Sequence, residues 1–320
     1  MRIAIIGTFW LSETFARAVT YVDGIEIGAV CSRSIAKAED FSARLAPNAV
    51  CYDDPAAIAS DSTIDAVYIA TPNATHYDLS KQMLISGKHV LCEKPICVHP
   101  AEYEELLSIA NTHGLVYLEA MMNAHLPRLK VLQETLSGAG AVVSARLDFS
   151  QRSSKIDRVR QGEVFSTFSK AACGGALMDL GVYSVYMALQ LFGYPKTVDA
   201  YSTPICDVDG TDTVILGYDG YQVILTMSKL AESKIRSEIV CEGGTLTLGL
   251  LSRLQQIVYY PHGDEMKTIF ETSDFEESMT WEIRDFISYA SGMDYTHMQQ
   301  LSRDSIRLLT RIREIIGYHI

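Results

Sequence analysis

Two short stretches of this 320-residue chain carry side chains able to move a proton. Glu93-Lys94-Pro95 follows the apolar run His89–Cys92. A lysine at the carboxyl edge of a buried strand can act as acid or base once burial or a neighbouring charge lowers its pKa from about 10.4. Pro95 allows a cis Lys94–Pro95 bond at little cost. A plain surface Lys-Pro turn is the alternative. The second stretch is Gly174-Gly175-Ala176-Leu177-Met178-Asp179-Leu180-Gly181-Val182-Tyr183. Two glycines let the backbone turn tightly into a helix, and Asp179 and Tyr183, four apart, share one helical face. A carboxylate and a phenol there could orient and protonate a substrate oxygen. The spacing suits a capping carboxylate and a core tyrosine equally well. Gly181 inside the helix costs about 1 kcal/mol against alanine, which points to close approach by a neighbour.

Two further stretches suit a dinucleotide. Gly7-Thr8-Phe9-Trp10-Leu11-Ser12 joins the apolar run Arg2–Ile6 to a helix. It keeps the first glycine of the G-x-G-x-x-G fingerprint, and Ser12 is small enough for the third position. Phe9 stands where the middle glycine lets the backbone approach the pyrophosphate. Ser32-Arg33 ends the second strand, where an acidic residue would favour NAD and an arginine NADP; no carboxylate follows until Glu39. Ser32 and Arg33 are therefore the expected phosphate clamp, and NADP the expected cofactor, with NAD possible. A solvated Arg33 beside a Ser34 helix cap is the alternative.

The elements that must position these residues follow two grammars. Over the first 120 residues or so, apolar runs at Arg2–Ile6, Ile25–Cys31, Ile64–Ala70, His89–Cys92 and Leu115–Leu118 alternate with helical patterns. Those helices lie over Glu13–Val19, from Ser34 to before Pro47, from Thr75 to Gly87, and from Pro100 to Gly114. Continuous apolar strands separated by helices predict a parallel sheet covered on both faces. Ligands then bind beyond the carboxyl ends of the strands, where all four legible ends lie: Gly7-Thr8-Phe9, Ser32-Arg33-Ser34, Thr71-Pro72-Asn73 and Glu93-Lys94-Pro95. Beyond residue 125 the pattern changes. Helices at Pro127–Leu136 and Ala176–Phe192 bracket a strand at Ala141–Ser150. Strands at Thr197–Ile205, Asp212–Tyr218, Gln222–Leu230, Ile235–Cys241, Thr245–Leu250 and Gln255–Tyr260 follow, with hairpin turns at Asp219-Gly220 and Gly243-Gly244. Helices over Met279–Ala290 and Leu301–Ile316 finish the chain. The expected fold is an α/β Rossmann-type parallel-sheet domain over residues 1–122, then an α+β domain with an open, mainly antiparallel sheet over 123–320.

Composition narrows the function classes. Hydrophobic residues make up 48% and charged residues 21%, the make-up of a globular protein rather than a disordered one. With 27 Lys+Arg against 39 Asp+Glu, the net charge of −12 lacks the basic footprint that nucleic acid or an anionic membrane demands. It leaves room for a phosphorylated cofactor, which helix N-termini and one or two arginines can hold locally. No run reaches the roughly 18–20 consecutive apolar residues of a bilayer span, and the apolar start predicts a strand rather than a signal peptide. The seven scattered cysteines predict neither a zinc site nor a disulfide framework, and a cytoplasmic location is expected.

Taken in order, these residues resemble the glucose–fructose oxidoreductase / inositol dehydrogenase / MocA (Gfo/Idh/MocA) family of NAD(P)-dependent oxidoreductases. The resemblance spans essentially the whole chain. It rests on Ile-Ile-Gly-Thr near the start, Ser32-Arg33, Ala70-Thr71-Pro72-Asn73 with His76, Gly87-Lys88-His89-Val90 leading into Glu93-Lys94-Pro95, and the run Gly174 to Tyr183. The resemblance implies Lys94 as acid/base, with Asp179 and Tyr183 facing it across the nicotinamide. It implies cofactor-site positions at Thr71, Pro72, Asn73, His76, Glu93 and Lys94, besides the Gly7, Thr8, Phe9, Trp10, Leu11 turn. Tyrosine in place of the commoner histidine at 183 is similar to dihydrodiol and xylose dehydrogenases, which implies a sugar or cyclic-diol substrate. Either Lys94 or Tyr183 is the direct proton donor. The resemblance also implies a homodimer or homotetramer through the second-domain sheet. A catalytically silent, nucleotide-binding regulator is the second expectation, favoured by Phe9.

Overall fold

A computed structural model describes residues 1–273 and 276–320, the side chains of 276 and 277 excepted. The chain divides into two compact units: Met1–Met121 with Phe275–Arg303, and Met122–Asp274 with Asp304–Ile320. The expected uninterrupted second segment, 123–320, does not match this division, because the helix Glu276–Ala290 packs against the helix Trp10–Val19 of the first unit. Its buried Ile283 and Phe286 form an apolar stripe. Such a stripe demands a partner without specifying which.

The first unit holds six parallel strands: β1 (Arg2–Ile6), β2 (Glu26–Cys31), β3 (Val50–Tyr52), β4 (Ala66–Ile69), β5 (His89–Glu93) and β6 (Tyr117–Ala120). Their order is β3-β2-β1-β4-β5-β6. The order reverses direction between β1 and β4, the switch point outside which open parallel sheets bind ligands. All four residues of β4 are buried, as a strand covered on both faces requires. Two elements were not expected, β3 and the helix Pro55–Ser60. Both are too short for a periodic signal, although the Asp54-Pro55 pair marks the helix start: Asp54 accepts the Ala56 N–H at 2.9 Å. Ser34 stands at the N-cap of Ile35–Leu45 as expected, yet its side chain makes no capping bond. The last strand begins at Tyr117, two residues after the expected Leu115.

The second unit is built on an eight-stranded sheet: β7 (Val142–Ser150), β8 (Thr197–Ile205), β9 (Val208–Gly217), β10 (Gln222–Ser228), β11 (Ser237–Cys241), β12 (Gly244–Leu248), β13 (Gln256–Pro261) and β14 (Lys267–Glu271). The order is β14-β13-β12-β11-β7-β10-β9-β8; only β7 and β10 pair parallel, and every other pair is antiparallel. One face packs inward through Leu147, Phe149, Val214, Leu216, Val223 and Leu225. The helix Val182–Phe192 packs on β7 and β10. β14 was not expected, its sequence lacking a continuous apolar run. The stretch Lys170–Phe192 is long and apolar enough to cross a membrane, but 72% of its apolar window is buried inside the protein. It is a core element here.

Candidate active site

The first unit holds the strand ends. Gly7 has φ +106°, and a Cβ there would lie 1.9 Å from the Ala70 carbonyl oxygen at the end of β4. Only glycine allows the ends of β1 and β4 to approach so closely. The Gly7 N–H donates to the Cys31 carbonyl at 2.9 Å, and the Thr8 hydroxyl donates to the Ser32 hydroxyl at 3.3 Å. The ends of β1, β2 and β4 are thereby tied together. Phe9, in extended backbone at the N-cap of Trp10–Val19, supplies no capping side chain. The first intrahelical N–H bond is from Glu13 to the Phe9 carbonyl at 3.1 Å, so the N–H groups of Trp10, Leu11 and Ser12 remain for a ligand. The Phe9 and Trp10 rings are 42% and 63% exposed and meet edge-on at 6.4 Å, so Phe9 turns outward rather than filling the turn. Ser12 is fully buried, as close helix–strand packing requires, and its hydroxyl finds no partner among the described residues. Ser32 is half-buried and Arg33 exposed. These residues fit a phosphorylated dinucleotide.

At the other end of the same edge, His76 is fully buried. Its Nδ1 lies 2.8 Å from the Pro95 carbonyl and its Nε2 2.9 Å from the Thr71 carbonyl. Burial pushes its pKa down, the two carbonyls pull it up, and the Lys94 charge lowers it further. His76 is thus a brace between the end of β4 and the Lys94–Pro95 turn, whose peptide bond is cis. Thr71 and Thr75 share a 2.7 Å hydroxyl bond, Asn73 opens a short 3₁₀ turn, and Pro72 is exposed. Glu93 is buried: Oε1 accepts the Tyr68 hydroxyl at 2.6 Å, and Oε2 the Lys94 N–H at 3.3 Å. Tyr68 is in turn stacked on Phe15 at 3.8 Å. Lys94 is half-buried, so it is no plain surface turn. Sequence reasoning missed Glu282, a buried carboxyl whose two oxygens lack partners among the described residues; burial, with Glu93 and Asp285 adding, holds its pKa well above the usual carboxylate range.

The second unit holds the carboxylate and phenol within its own surroundings. A Cβ on Gly175, at φ +109°, would lie 2.0 Å from Asp209 Oδ1, and one on Gly174 would lie 2.6 Å from the Ser166 carbonyl. Gly174 makes room for the Ser166–Thr167 backbone and Gly175 for Asp209, whose Oδ2 accepts the Leu177 N–H at 2.6 Å. The helix then opens with a π-turn, Leu177–Gly181, before regular α-helix from Val182, a departure from the uniform helix expected. Such turns concentrate at functional sites. The neighbours that Gly181 admits are the side chains of Leu177 in its own turn and Met227 of β10, 3.1 and 3.2 Å from a Cβ placed there. The close approach is therefore packing. Asp179 Oδ2 accepts from Lys229 Nζ at 2.6 Å, so its carboxylate is ion-paired. Tyr183 is half-buried with its ring 5.3 Å from Phe149. Asn123 Nδ2 donates to both the Tyr183 and Leu251 carbonyls, at 3.4 and 3.2 Å. Arg128 Nε holds the Arg253 carbonyl at 2.7 Å. Burial lowers the pKa of the Arg253 guanidinium, and the charge of the Tyr183 phenol pulls it back up. Lys229, Asn123 and Arg253 lie far from Asp179 and Tyr183 in sequence, and no local motif marks them.

Comparison with known proteins adds the following. The family described as "Oxidoreductase family, NAD-binding Rossmann fold" (GFO_IDH_MocA) matches residues 1–121, and the GFO/IDH/MocA C-terminal domain matches residues 137–247. A scyllo-inositol 2-dehydrogenase (NADP(+)) of Bacillus subtilis is 36% identical over 290 residues, 90% of this chain and 88% of that protein. A trans-1,2-dihydrobenzene-1,2-diol dehydrogenase of Oryctolagus cuniculus is 32% identical over 61% of this chain and 58% of its own. Among solved structures, a 3-ketoreductase from Actinomadura kijaniata in complex with NADP shares the fold, with TM-score 0.85 at 21% identity, covering 99% of this chain and 98% of that one.

Proposed function

The chain belongs to the Gfo/Idh/MocA family of oxidoreductases, and on that footing we propose that it is an NADP(H)-dependent dehydrogenase of a carbinol carbon in a sugar or cyclic polyol. The observation that carries this reading is that the family's three chemical positions are all filled and all held by built surroundings. Lys94 follows a buried Glu93 braced by Tyr68, Asp179 sits on a π-turn against Lys229, and the Tyr183 backbone carbonyl is held by Asn123. A nicotinamide dinucleotide would be held outside the β1–β4 switch point, and when bound it would supply or accept the hydride. Gly7 to Leu11 offer helix N–H groups to its pyrophosphate, with Thr71, Asn73 and Glu93 on the same strand-end edge. Arg33 offers a guanidinium to a 2′-phosphate, as NADP requires and NAD does not. Either Lys94 Nζ or Tyr183 Oη would exchange the substrate hydroxyl proton. Asp179, ion-paired to Lys229, accepts a hydrogen bond from the substrate and orients it.

The inositol and dihydrodiol dehydrogenases among the relatives support polyols and cyclic diols as the substrate class. Homo-oligomerisation through the eight-stranded sheet belongs to the same proposal: Tyr201 (71% exposed) and the cross-strand pair Ile215 and Ile224 present apolar surface on its outer face. A cytoplasmic location belongs to the same proposal, supported by cysteines that are odd in number and scattered along the chain. Phe9 at the fingerprint's middle position favours the second reading, a silent nucleotide-binding regulator. One experiment separates the two: NADP⁺ reduction followed at 340 nm over scyllo-inositol, xylose and a cyclic trans-diol, beside titrations with NADPH and NADH. Turnover with any of them carries the dehydrogenase. Tight NADPH binding with no turnover carries the regulator, and preference for NADH defeats the Arg33 argument.

A further inference from the structure

Lys229 lies just beyond the end of β10 with its ammonium sealed from solvent: 4% of the side chain is exposed, against 32% for its partner Asp179. An ammonium taken out of water needs fixed partners. Nζ donates to Asp179 Oδ2 at 2.6 Å and to the Thr167 carbonyl at 2.9 Å, and stands 4.5 Å from the centre of the Phe168 ring. Its own backbone N–H is bonded to the Gly210 carbonyl at 2.9 Å. The same Thr167 carbonyl accepts the Gly175 N–H at 3.2 Å, so one oxygen joins the ammonium to the glycine turn that opens the Asp179 helix. The asymmetry of burial bears on function. A partly buried ion pair contributes little net stability, and apolar residues of equal volume often replace one at no cost. Here the cation is walled in and the carboxylate is the accessible member, an arrangement that fixes the charge and direction of Asp179.

We propose that Lys229 is a positioning residue for the reaction: it keeps the Asp179 carboxylate ionised and in one orientation, so that Asp179 serves as a fixed acceptor for a substrate hydroxyl and not as the proton donor. The proposal rests on the dehydrogenase reading and adds a residue to it. The test compares Lys229→Met, Lys229→Arg, Asp179→Asn and the Lys229→Met/Asp179→Asn double variant with wild type. Lys229→Met is expected to lower kcat for polyol oxidation by about 100-fold, the scale set by misplacing one orienting group. The KM for NADP⁺ is expected to stay within about twofold, and Lys229→Arg to restore much of kcat by supplying a charge that reaches both oxygens. A Lys229→Met enzyme as fast as an active wild type overturns the proposal alone. A wild type silent on every polyol overturns the dehydrogenase reading, and the role of Lys229 with it. The pairing itself is decided without substrate. In thermal unfolding, the Tm loss from Lys229→Met is expected to shrink sharply in the Asp179→Asn background; an equal loss in both backgrounds overturns the coupling.

Discussion

The strand-end cluster of the first unit and the Asp179 cluster of the second solve the same problem, holding a charge still, in opposite ways. Around Lys94 the supports are loops that directly follow parallel strands: Glu93 is its neighbour, and His76 and Thr71 follow β4. Around Asp179 the supports come from distant parts of the chain, Lys229 fifty residues on and Asp209 thirty-two residues from the Leu177 N–H it accepts. A parallel sheet brings all its carboxyl ends to one edge, so nearby sequence and nearby space coincide. A mainly antiparallel sheet with a helix on it gathers partners by register, which leaves no local spacing to read.

The sharpest test of that contrast is Lys94→Ala. If the strand-end lysine moves the proton, kcat should fall by about 10²- to 10⁴-fold while NADPH binding, followed by fluorescence, stays near wild type. Equal losses in both would recast Lys94 as a cofactor support.

Arg33→Ala tests the same edge at the cofactor. One lost charge-assisted hydrogen bond is worth about 1.5–3 kcal/mol, so NADPH affinity should drop by about 10- to 100-fold with NADH affinity unchanged. Unchanged NADPH affinity would return Arg33 to a solvated loop.

Gly7→Ala asks whether the strand ends need their close approach. A side chain at φ +106°, aimed at the Ala70 carbonyl, should cost at least about 1–3 kcal/mol, seen as a lowered Tm and weaker NADPH binding. Wild-type Tm would show that the β1–β4 approach has slack.

A pH-dependent effect is expected on the other side of the comparison. Asp212, 1% exposed, has its pKa pushed up from 3.8 to about 9 by burial and then by the Asp209 carboxylate. Because the folded value lies above the unfolded one, the native state keeps a proton that the unfolded chain releases. That contribution to stability is fully present below about pH 4 and is lost as pH rises towards 9. Asp212→Asn cannot titrate, so its Tm should fall less than that of wild type between pH 5 and 9. Parallel Tm–pH curves would mean the Asp209–Asp212 pair carries no shifted proton.

How much was legible followed the same division. The four strand ends could be read because an apolar run, a turn and a helix cap lie within a dozen residues of one another. β3 and the helix Pro55–Ser60 escaped because three and six residues hold too little periodicity, although Asp54-Pro55 was a usable cap signal. The π-turn at Leu177–Gly181 escaped because it differs from α-helix in hydrogen bonding and not in residue pattern.

What the sequence determined by itself was which residues could act: a lysine closing a buried strand, a carboxylate and a phenol four apart, and an arginine where an acid would favour NAD. Those are local facts of residue type and spacing. Tertiary structure alone decided which charges are held and by what. It placed Lys229 on Asp179, Tyr68 on Glu93 and the helix Glu276–Ala290 on the first unit, since long-range partners are chosen by packing and desolvation rather than by proximity along the chain.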